Sequence, residues 1–368
     1  MRGEKEQRER QRREEPNRGF SPELLTSSSH SSPDLLTSHP SLLTFAHTPV
    51  LLDEVLHLLA GCRRILDGTI GAGGHAARLL AAGAEVLGLD RDPAAVRAAS
   101  ERLGAGARVR AGDFADAAAD PDVIALEPDG ILLDLGVSSP QLDDPARGFS
   151  FRQGTALDMR MTPGAPLSAA GWLNGSEESD LAAAFRDYGD ERRARALARE
   201  IARRRATRPF AISEDLVGAI RAVLGPRSGP DDFARLFQAV RIAVNGEIER
   251  LHRALPALLD VAAPAAVLTV ISYHSGEDRE VKVAMRDWAR SCICPPRQPV
   301  CTCRGRPLGT LLTRHPVRAS VEEIARNPRS RSAHLRAFRK AVAPVPGQDQ
   351  ASGATAAAEP RPRESGAA

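Results

Sequence analysis

Asp67-Gly68-Thr69-Ile70-Gly71-Ala72-Gly73-Gly74-His75 is the stretch that decides the fold. It follows a short apolar run, Arg64–Leu66, and opens a helical pattern. Glycines there let the backbone turn sharply and approach a ligand closely. The next apolar run, Val86–Leu89, ends at Asp90, 23 residues after Asp67. A carboxylate in that place can accept hydrogen bonds from a ribose diol.

The same texture extends on both sides. Thr48 is expected to cap a helix with Pro49 at its first position, running to about Leu59. Arg108–Arg110 leads to Asp113 and Phe114, read as the end of a third strand, and Ile131–Leu133 ends at Asp134. Short strands separated by helices predict an α/β fold, a parallel sheet with helices on its faces. From about Asp143 to Gly246 only helical patterns occur: Ser179–Tyr188, Asp190–Arg205, Ser213–Leu224 and Asp231–Val244. The α/β texture then returns with a helix over Glu247–Ala262, a strand over Ala266–Ile271 and a helix over Glu277–Arg290. Thr310–Thr313 and His334–Arg339 are the expected closing strands. The predicted organisation is a sheet domain in two parts, 45–142 and 247–342, interrupted by a helical insertion over 143–246. Residues 1–44 are polar and rich in Ser, Pro and charge, and 343–368 are rich in Ala, Pro, Gly and Glu. Both tails are expected to be disordered.

Composition narrows the class. The chain has 368 residues, 42% hydrophobic and 26% charged, as in an ordinary globular protein. Its net charge of +3 does not identify a partner, so local charge must. Aromatic residues at 4% argue against a single-strand binder built on stacking platforms. No run approaches the roughly 20 apolar residues of a membrane span. The N-terminus carries charges of both signs and no apolar stretch behind them, unlike a signal peptide. Five cysteines, four of them crowded, do not resemble a secreted disulfide framework, and a reducing cytoplasm is expected.

Three readings of the glycine turn stand side by side: a turn without ligand, a nicotinamide dinucleotide site, and an S-adenosyl-L-methionine site. Gly71, Gly73 and Ala76 satisfy the relaxed dinucleotide fingerprint. Two features favour S-adenosyl-L-methionine. Asp67 at the strand tip suits a cationic methionine amino group and repels a pyrophosphate. Asp113-Phe114 offers a ring and a carboxylate to an adenine. The fourth strand ends in Asp134-Leu135-Gly136-Val137-Ser138-Ser139-Pro140-Gln141. A loop of small residues with hydroxyls and a carboxylate, at the crevice edge of an open sheet, can hold an amine beside a methyl donor. Asp134 and Ser139 are the candidates, and a plain Ser-Pro turn is the alternative. The next strand ends in Ser272-Tyr273-His274-Ser275-Gly276-Glu277-Asp278-Arg279. There His274 and Asp278 can reach substrate or phosphate. Alternatively Ser275 caps a helix and His274 is structural.

Longer motifs carry a resemblance. They include His47–Glu54, Asp67–His75, Asp90-Arg91-Asp92-Pro93, Asp129–Asp143, Arg147–Arg152, Leu157–Met161, Tyr188–Glu191, Phe237–Asn245 and Asn327–Ser332. In these the chain resembles the bacterial small-subunit ribosomal RNA (cytosine-N4-)-methyltransferase family over about residues 46–341. The resemblance implies a class I (Rossmann-like) S-adenosyl-L-methionine-dependent methyltransferase sheet carrying an all-helical insertion. It implies methylation of a cytidine N4 amine in the decoding region of the 16S RNA, free or in the assembled subunit. It implies cofactor contacts at Gly73, Gly74, His75, Asp90, Phe114, Asp134 and Gln141. Catalytic roles are expected for Asp134, Ser139 and His274, with no catalytic metal. The family usually has Phe and Leu where Tyr273 and Gly276 stand, and Asp-Gly-Pro near Gly154-Thr155-Ala156.

Two further features lie outside the crevice. Arg192, Arg193, Arg195, Arg199, Arg203, Arg204, Arg205 and Arg208 crowd the insertion, and Arg326, Arg329, Arg331, Arg336, Arg339 and Lys340 follow near the end of the fold. Both sets can contact phosphates or form solvated, salt-bridged faces. Cys292-Ile293-Cys294 and Cys301-Thr302-Cys303 form two pairs six residues apart. Four thiolates can bind zinc tetrahedrally, but ribbons space each pair by two to four residues where this chain has one. A structural metal, a set of reduced thiols and a redox-labile loop all remain open.

Overall fold

A computed structural model of the chain describes residues 49–342 apart from 296. The two tails and Thr48 lie outside the described residues. Seven strands form one sheet: β1 (Arg64–Asp67), β2 (Glu85–Asp90), β3 (Arg108–Ala111), β4 (Gly130–Asp134), β5 (Val267–Ser272), β6 (Gly309–Leu311) and β7 (His334–Lys340). Their order is β3-β2-β1-β4-β5-β7-β6. The first five run parallel, and β7 lies antiparallel between β5 and β6. The chain steps outward from β1 to β3, then returns to β4 on the other side of β1. That reversal opens a crevice at the carboxyl ends of β1 and β4. Asp67, Asp90 and Asp134 are the last residues of β1, β2 and β4.

Side-chain alternation along the strands builds two cores. Ile65, Val86, Leu132, Val267 and Ile271 face one layer. It includes α1 (Leu52–Leu58) and α2 (Gly74–Ala81), with Ala99 of α3 (Pro93–Leu103). Leu66, Leu87, Ile131, Leu133, Leu268 and Val270 face the other layer. There they meet α4 (Pro121–Leu126) and two later helices described below. Helix α1 starts later than expected. Leu51 is left-handed (φ 53°), with its N–H on Glu323 Oε1 at 2.9 Å, so the helix cannot run back through it to Pro49.

After β4 come α5 (Ser139–Asp143), α6 (Ala169–Gly175), α7 (Glu178–Asp187), α8 (Ala194–Arg205), α9 (Ser213–Leu224) and α10 (Pro230–Asn245). Leu173, Phe185, Leu197, Ile201, Leu216, Ile220 and Leu236 share a third core, separate from the two on the sheet. Helix α8 begins at Ala194 rather than Asp190, because Asp190 is left-handed (φ 46°) and Glu191 caps Arg193 N–H at 2.8 Å. Gly246 (φ 59°) ends α10 and starts α11 (Glu247–Val261). With α12 (Ser275–Ala289), α11 covers the second face of the sheet, where Trp288 meets Phe338 edge-on at 5.4 Å between ring centres.

Candidate active site

The glycine turn is tied to β2 and β4, the two strands that flank β1. Gly68 N–H bonds Leu132 O (2.9 Å), Ile70 N–H bonds Leu89 O (2.9 Å), and Thr69 Oγ1 accepts the Asp134 N–H (2.6 Å). Gly73 is left-handed (φ 74°) and precedes α2, a conformation that favours glycine. At Gly74 an added Cβ would sit 2.7 Å from Pro49 Cγ, so the start of α2 admits no side chain without displacing Pro49.

Around this turn the carboxylates converge. Asp67 is fully buried and accepts only the Thr69 N–H at 3.2 Å among the described residues. Burial pushes its carboxyl up to about 7, the Thr69 bond opposes the rise, and the neighbouring Asp134 and Asp90 charges add to it. Asp90 is also raised by burial. The N–H groups of Gly71 (3.0 Å) and Asp92 (2.9 Å), one on each carboxylate oxygen, oppose that rise. No ion pair reaches Asp67 or Asp90 among the described residues, so the turn is an anionic recess.

Asp134 is gripped from two sides. Tyr273 donates its hydroxyl to Asp134 Oδ1 at 2.8 Å. The buried His75 ring places Nδ1 3.8 Å from Asp134 Oδ2 and Nε2 2.9 Å from Val50 O. A carbonyl only accepts, so Nε2 carries the proton. The Tyr273 hydroxyl is held well above its ordinary pKa, by burial first and then by Asp134. Tyr273 joins the candidate site through this bond, and the sequence reading noted it only as a departure from the family pattern. Its partner follows from the register, since Asp134 pairs with Ile271 two residues before it.

Asp92 is a buried hub. It accepts Gln141 Nε2 (2.8 Å) and Arg147 Nη1 (2.6 Å), while Arg147 also bonds the carbonyls of Arg160 (3.1 Å) and Met161 (2.9 Å). Burial would raise the Asp92 carboxyl, but these bonds outweigh it and hold it below the usual range. Gln141 Oε1 accepts the Ser138 N–H (3.0 Å), so its amide braces the loop after β4. Ser139 is the first residue of α5. Phe114 and Asp113 follow β3 rather than end it. Phe114 Cβ lies 3.1 Å from where a Gly68 Cβ would stand, and Asp113 pairs with Arg250. Arg250 also lines an open groove of about 480 Å³ with Trp172, Tyr188, Gly246, Glu249 and Arg253.

His274, not Ser275, caps α12: its Nδ1 accepts the N–H groups of Gly276 (3.2 Å) and Glu277 (3.4 Å). Its Nε2 lies 3.3 Å from Glu277 Oε1. Glu247, His274 and Glu277 cluster, and Arg241 forks onto Glu247 at 3.0 and 2.9 Å. Burial would raise the Glu277 carboxyl, but the His274 ring, the Arg241 guanidinium and the Tyr273 N–H outweigh it and leave it lowered. The His274 ring is therefore turned into this cluster. Asp278 is taken by Arg336 at 2.7 and 3.0 Å, so neither is available to phosphate.

The arginine sets divide in the same way. Arg203 and Arg204 hold Glu200 at 2.8 and 2.6 Å, pulling its carboxyl down to about 2. Arg205 caps the Leu173 and Ser176 carbonyls, and Arg208 pairs with Asp215. Arg192, Arg193, Arg195 and Arg199 are exposed and form no ion pair among the described residues. In the second set Arg329 pairs with Asp143 (2.6 Å), and Lys340 is tied to the carbonyls of Asp260 and Ala262.

Comparison with known proteins agrees with this architecture. The profile of the MraW methylase family matches residues 44–341. A protein of Gemmatimonas aurantiaca named ribosomal RNA small subunit methyltransferase H is 58% identical over 304 residues, 80% of this chain and 95% of that one. Proteins of the same name from Heliobacterium modesticaldum and Myxococcus xanthus are 45% and 47% identical. They cover 81% and 80% of this chain and 99% and 98% of their own.

Proposed function

The chain belongs to the MraW methylase family, and from that premise we propose that it methylates the exocyclic N4 amine of a cytidine in the decoding region of small-subunit ribosomal RNA. S-Adenosyl-L-methionine, when bound, supplies an electrophilic methyl group on a sulfonium. One observation carries the reading: a fully buried carboxyl, Asp67, is pushed to about 7 beside Asp90 and Asp134, with no cation among the described residues to pair it. Such a recess suits a cationic amino acid and repels a pyrophosphate, which favours this cofactor over a dinucleotide.

The residues then take distinct tasks. Asp67 binds the cofactor's ammonium, Asp90 its ribose diol, and Phe114 faces its adenine. Gly73, Gly74 and His75 let α2 begin close to the ligand. Gln141, braced by Asp92, closes the loop over it. Asp134 accepts a hydrogen bond from the target amine, aligning the nitrogen lone pair, and receives the proton that the methylated nitrogen sheds. Tyr273 fixes Oδ1 for that work. Ser139, at the start of α5, flanks the amine. His274 acts as a positioning residue, because its ring caps α12 and meets Glu277. Little acid–base help is needed, since an activated methyl group leaves most of the rate to orientation.

The RNA is held by phosphate contacts, and Arg192, Arg193, Arg195 and Arg199 are the exposed cations suited to them. The target base must be unpaired or flipped to enter a crevice at strand tips. No helix among the described residues is long and apolar enough to cross a membrane, and an enzyme acting on ribosomal RNA works in the cytoplasm. The test is mass spectrometry of ribosomal RNA from a deletion strain. One methylcytidine should vanish and return with the wild-type chain but not with Asp134→Asn. An unchanged methylcytidine content would overturn the assignment. Purified small subunits should accept methyl groups where naked DNA does not.

A further inference from the structure

The segment between α12 and β6 contains no helix or strand among its described residues. Its apolar side chains do not form a core: Ile293 is 44% and Val300 70% exposed. It is anchored at its base, where Leu308 N–H bonds Trp288 O at 2.7 Å and Arg304 bonds the carbonyls of Asp287 and Arg290. At its centre Cys292, Cys294, Cys301 and Cys303 bring all four sulfurs within 4.8 Å of one another.

The separations are specific. Cys301 Sγ lies 3.8 Å from Cys292 Sγ, 3.8 Å from Cys294 Sγ and 3.4 Å from Cys303 Sγ, and Cys303 lies 3.8 Å from Cys292. A zinc ion with four thiolates at about 2.3 Å makes a tetrahedron whose edges are about 3.8 Å. All four are free thiols, so no disulfide competes for them. A polynuclear iron–sulfur cluster would hold its cysteines farther apart. The Ile293 N–H donates to Cys303 Sγ at 3.3 Å, as a backbone donor does to a metal-bound thiolate. The two turns that let such tight pairs converge are visible in the backbone, with left-handed Arg297 (φ 74°) and Gly305 (φ 67°). Arg290, Arg297, Arg304 and Arg306 crowd the segment, and four thiolates on one divalent ion leave an excess negative charge that guanidinium groups offset.

We propose that Cys292, Cys294, Cys301 and Cys303 form a structural zinc site that clips the segment between α12 and β6 onto the edge of the sheet. The spacing of one residue within each pair, tighter than in zinc ribbons, is accommodated because the chain bends between and after the pairs instead of relying on a two-residue knuckle. The site does not depend on the methylation assignment, and its readouts are metal content and fold rather than activity.

The experiment uses the full chain purified under reducing conditions without chelator. Elemental analysis should find one zinc per chain, and the double variant C301S/C303S none, while C62S, at a cysteine outside the cluster, keeps its zinc. Cobalt substitution should give the absorption of a tetrahedral tetrathiolate. Chelation should lower the melting temperature of the wild type and leave that of the double variant unmoved. If the double variant does not fold, the wild-type zinc content and cobalt spectrum decide. Zinc-free protein that takes up neither metal, stoichiometric iron in place of zinc, or zinc retained in C301S/C303S would overturn the proposal.

Discussion

The Tyr273 hydroxyl donates to Asp134 Oδ1 at 2.8 Å, across the carboxyl ends of two adjacent parallel strands. The bond fixes the carboxylate proposed to meet the amine. A hydrogen bond of this kind contributes about 1.5–3 kcal/mol when its acceptor is charged. Tyr273→Phe should therefore fold normally and lower kcat by roughly tenfold, with cofactor affinity unchanged. Asp134→Asn should remove about 10²-fold or more of the rate. Single-turnover methylation and calorimetric cofactor binding separate the two quantities.

Asp67 makes a pH prediction. Its carboxyl is raised to about 7 in the folded chain, against about 3.9 unfolded. The folded state then binds more protons than the unfolded state between these values, so this group lowers stability as pH rises from about 4 to 7, and its cost is complete above that. A cationic ligand reverses the preference and releases a proton on binding. Affinity for S-adenosyl-L-methionine should rise with pH between about 5 and 7, with a slope approaching tenfold per unit, then level off. Calorimetry in buffers of different ionisation enthalpy counts the proton. Asp67→Asn should melt higher than wild type at pH 8 without ligand and lose both the affinity and the pH slope.

Breaking the Arg147–Asp92 pair should be costly. Asp92 is 1% exposed, and Arg147→Ala would leave a buried carboxylate with Gln141 and Ala94 as its remaining donors. A loss on the order of 3 kcal/mol is expected in urea unfolding. Because the wild-type Asp92 carboxyl is lowered, its stabilising contribution is present above the unfolded pKa and disappears as pH falls through the folded one. The difference between wild type and Arg147→Ala should therefore shrink in acid.

The insertion arginines should separate into two groups. Replacing Arg192, Arg193, Arg195 and Arg199 with alanine should weaken RNA binding and flatten its salt dependence, by up to about 0.7–0.9 log unit for each phosphate no longer neutralised, with stability little changed. Replacing Arg208, which holds Asp215, should lower the melting temperature and leave the salt slope intact. Filter binding across a salt series tests both. Equal salt slopes in all variants would place the RNA elsewhere.

β1, β2 and β4 were legible because each is a run of buried aliphatic residues ending in an acid. Asp67, Asp90 and Asp134 could be placed at strand tips from the sequence alone. The helical insertion was legible from its periodicity. What escaped were chiefly interactions between distant residues. Tyr273 on Asp134, Arg336 on Asp278 and Arg147 on Asp92 depend on register and on which helix crosses which strand, and no local pattern encodes either. The His274 cap is local, reaching Gly276 and Glu277, and was missed because a histidine took the place expected of Ser275. The start of α1 escaped because left-handed Leu51 is held by Glu323, 272 positions along the chain. The arginine clusters looked alike until their partners were visible.

The placement of β7 between β5 and β6 bears on how the protein is made. Both of its neighbours precede it in the chain, so as the polypeptide leaves the ribosome β5 presents a bare hydrogen-bonding edge until residues 334–340 have emerged. The helical body, which has its own apolar interior, can condense during synthesis, whereas the sheet closes only after the last strand slides in. Premature release of nascent chains before that point would yield a sticky half-sheet rather than a smaller enzyme.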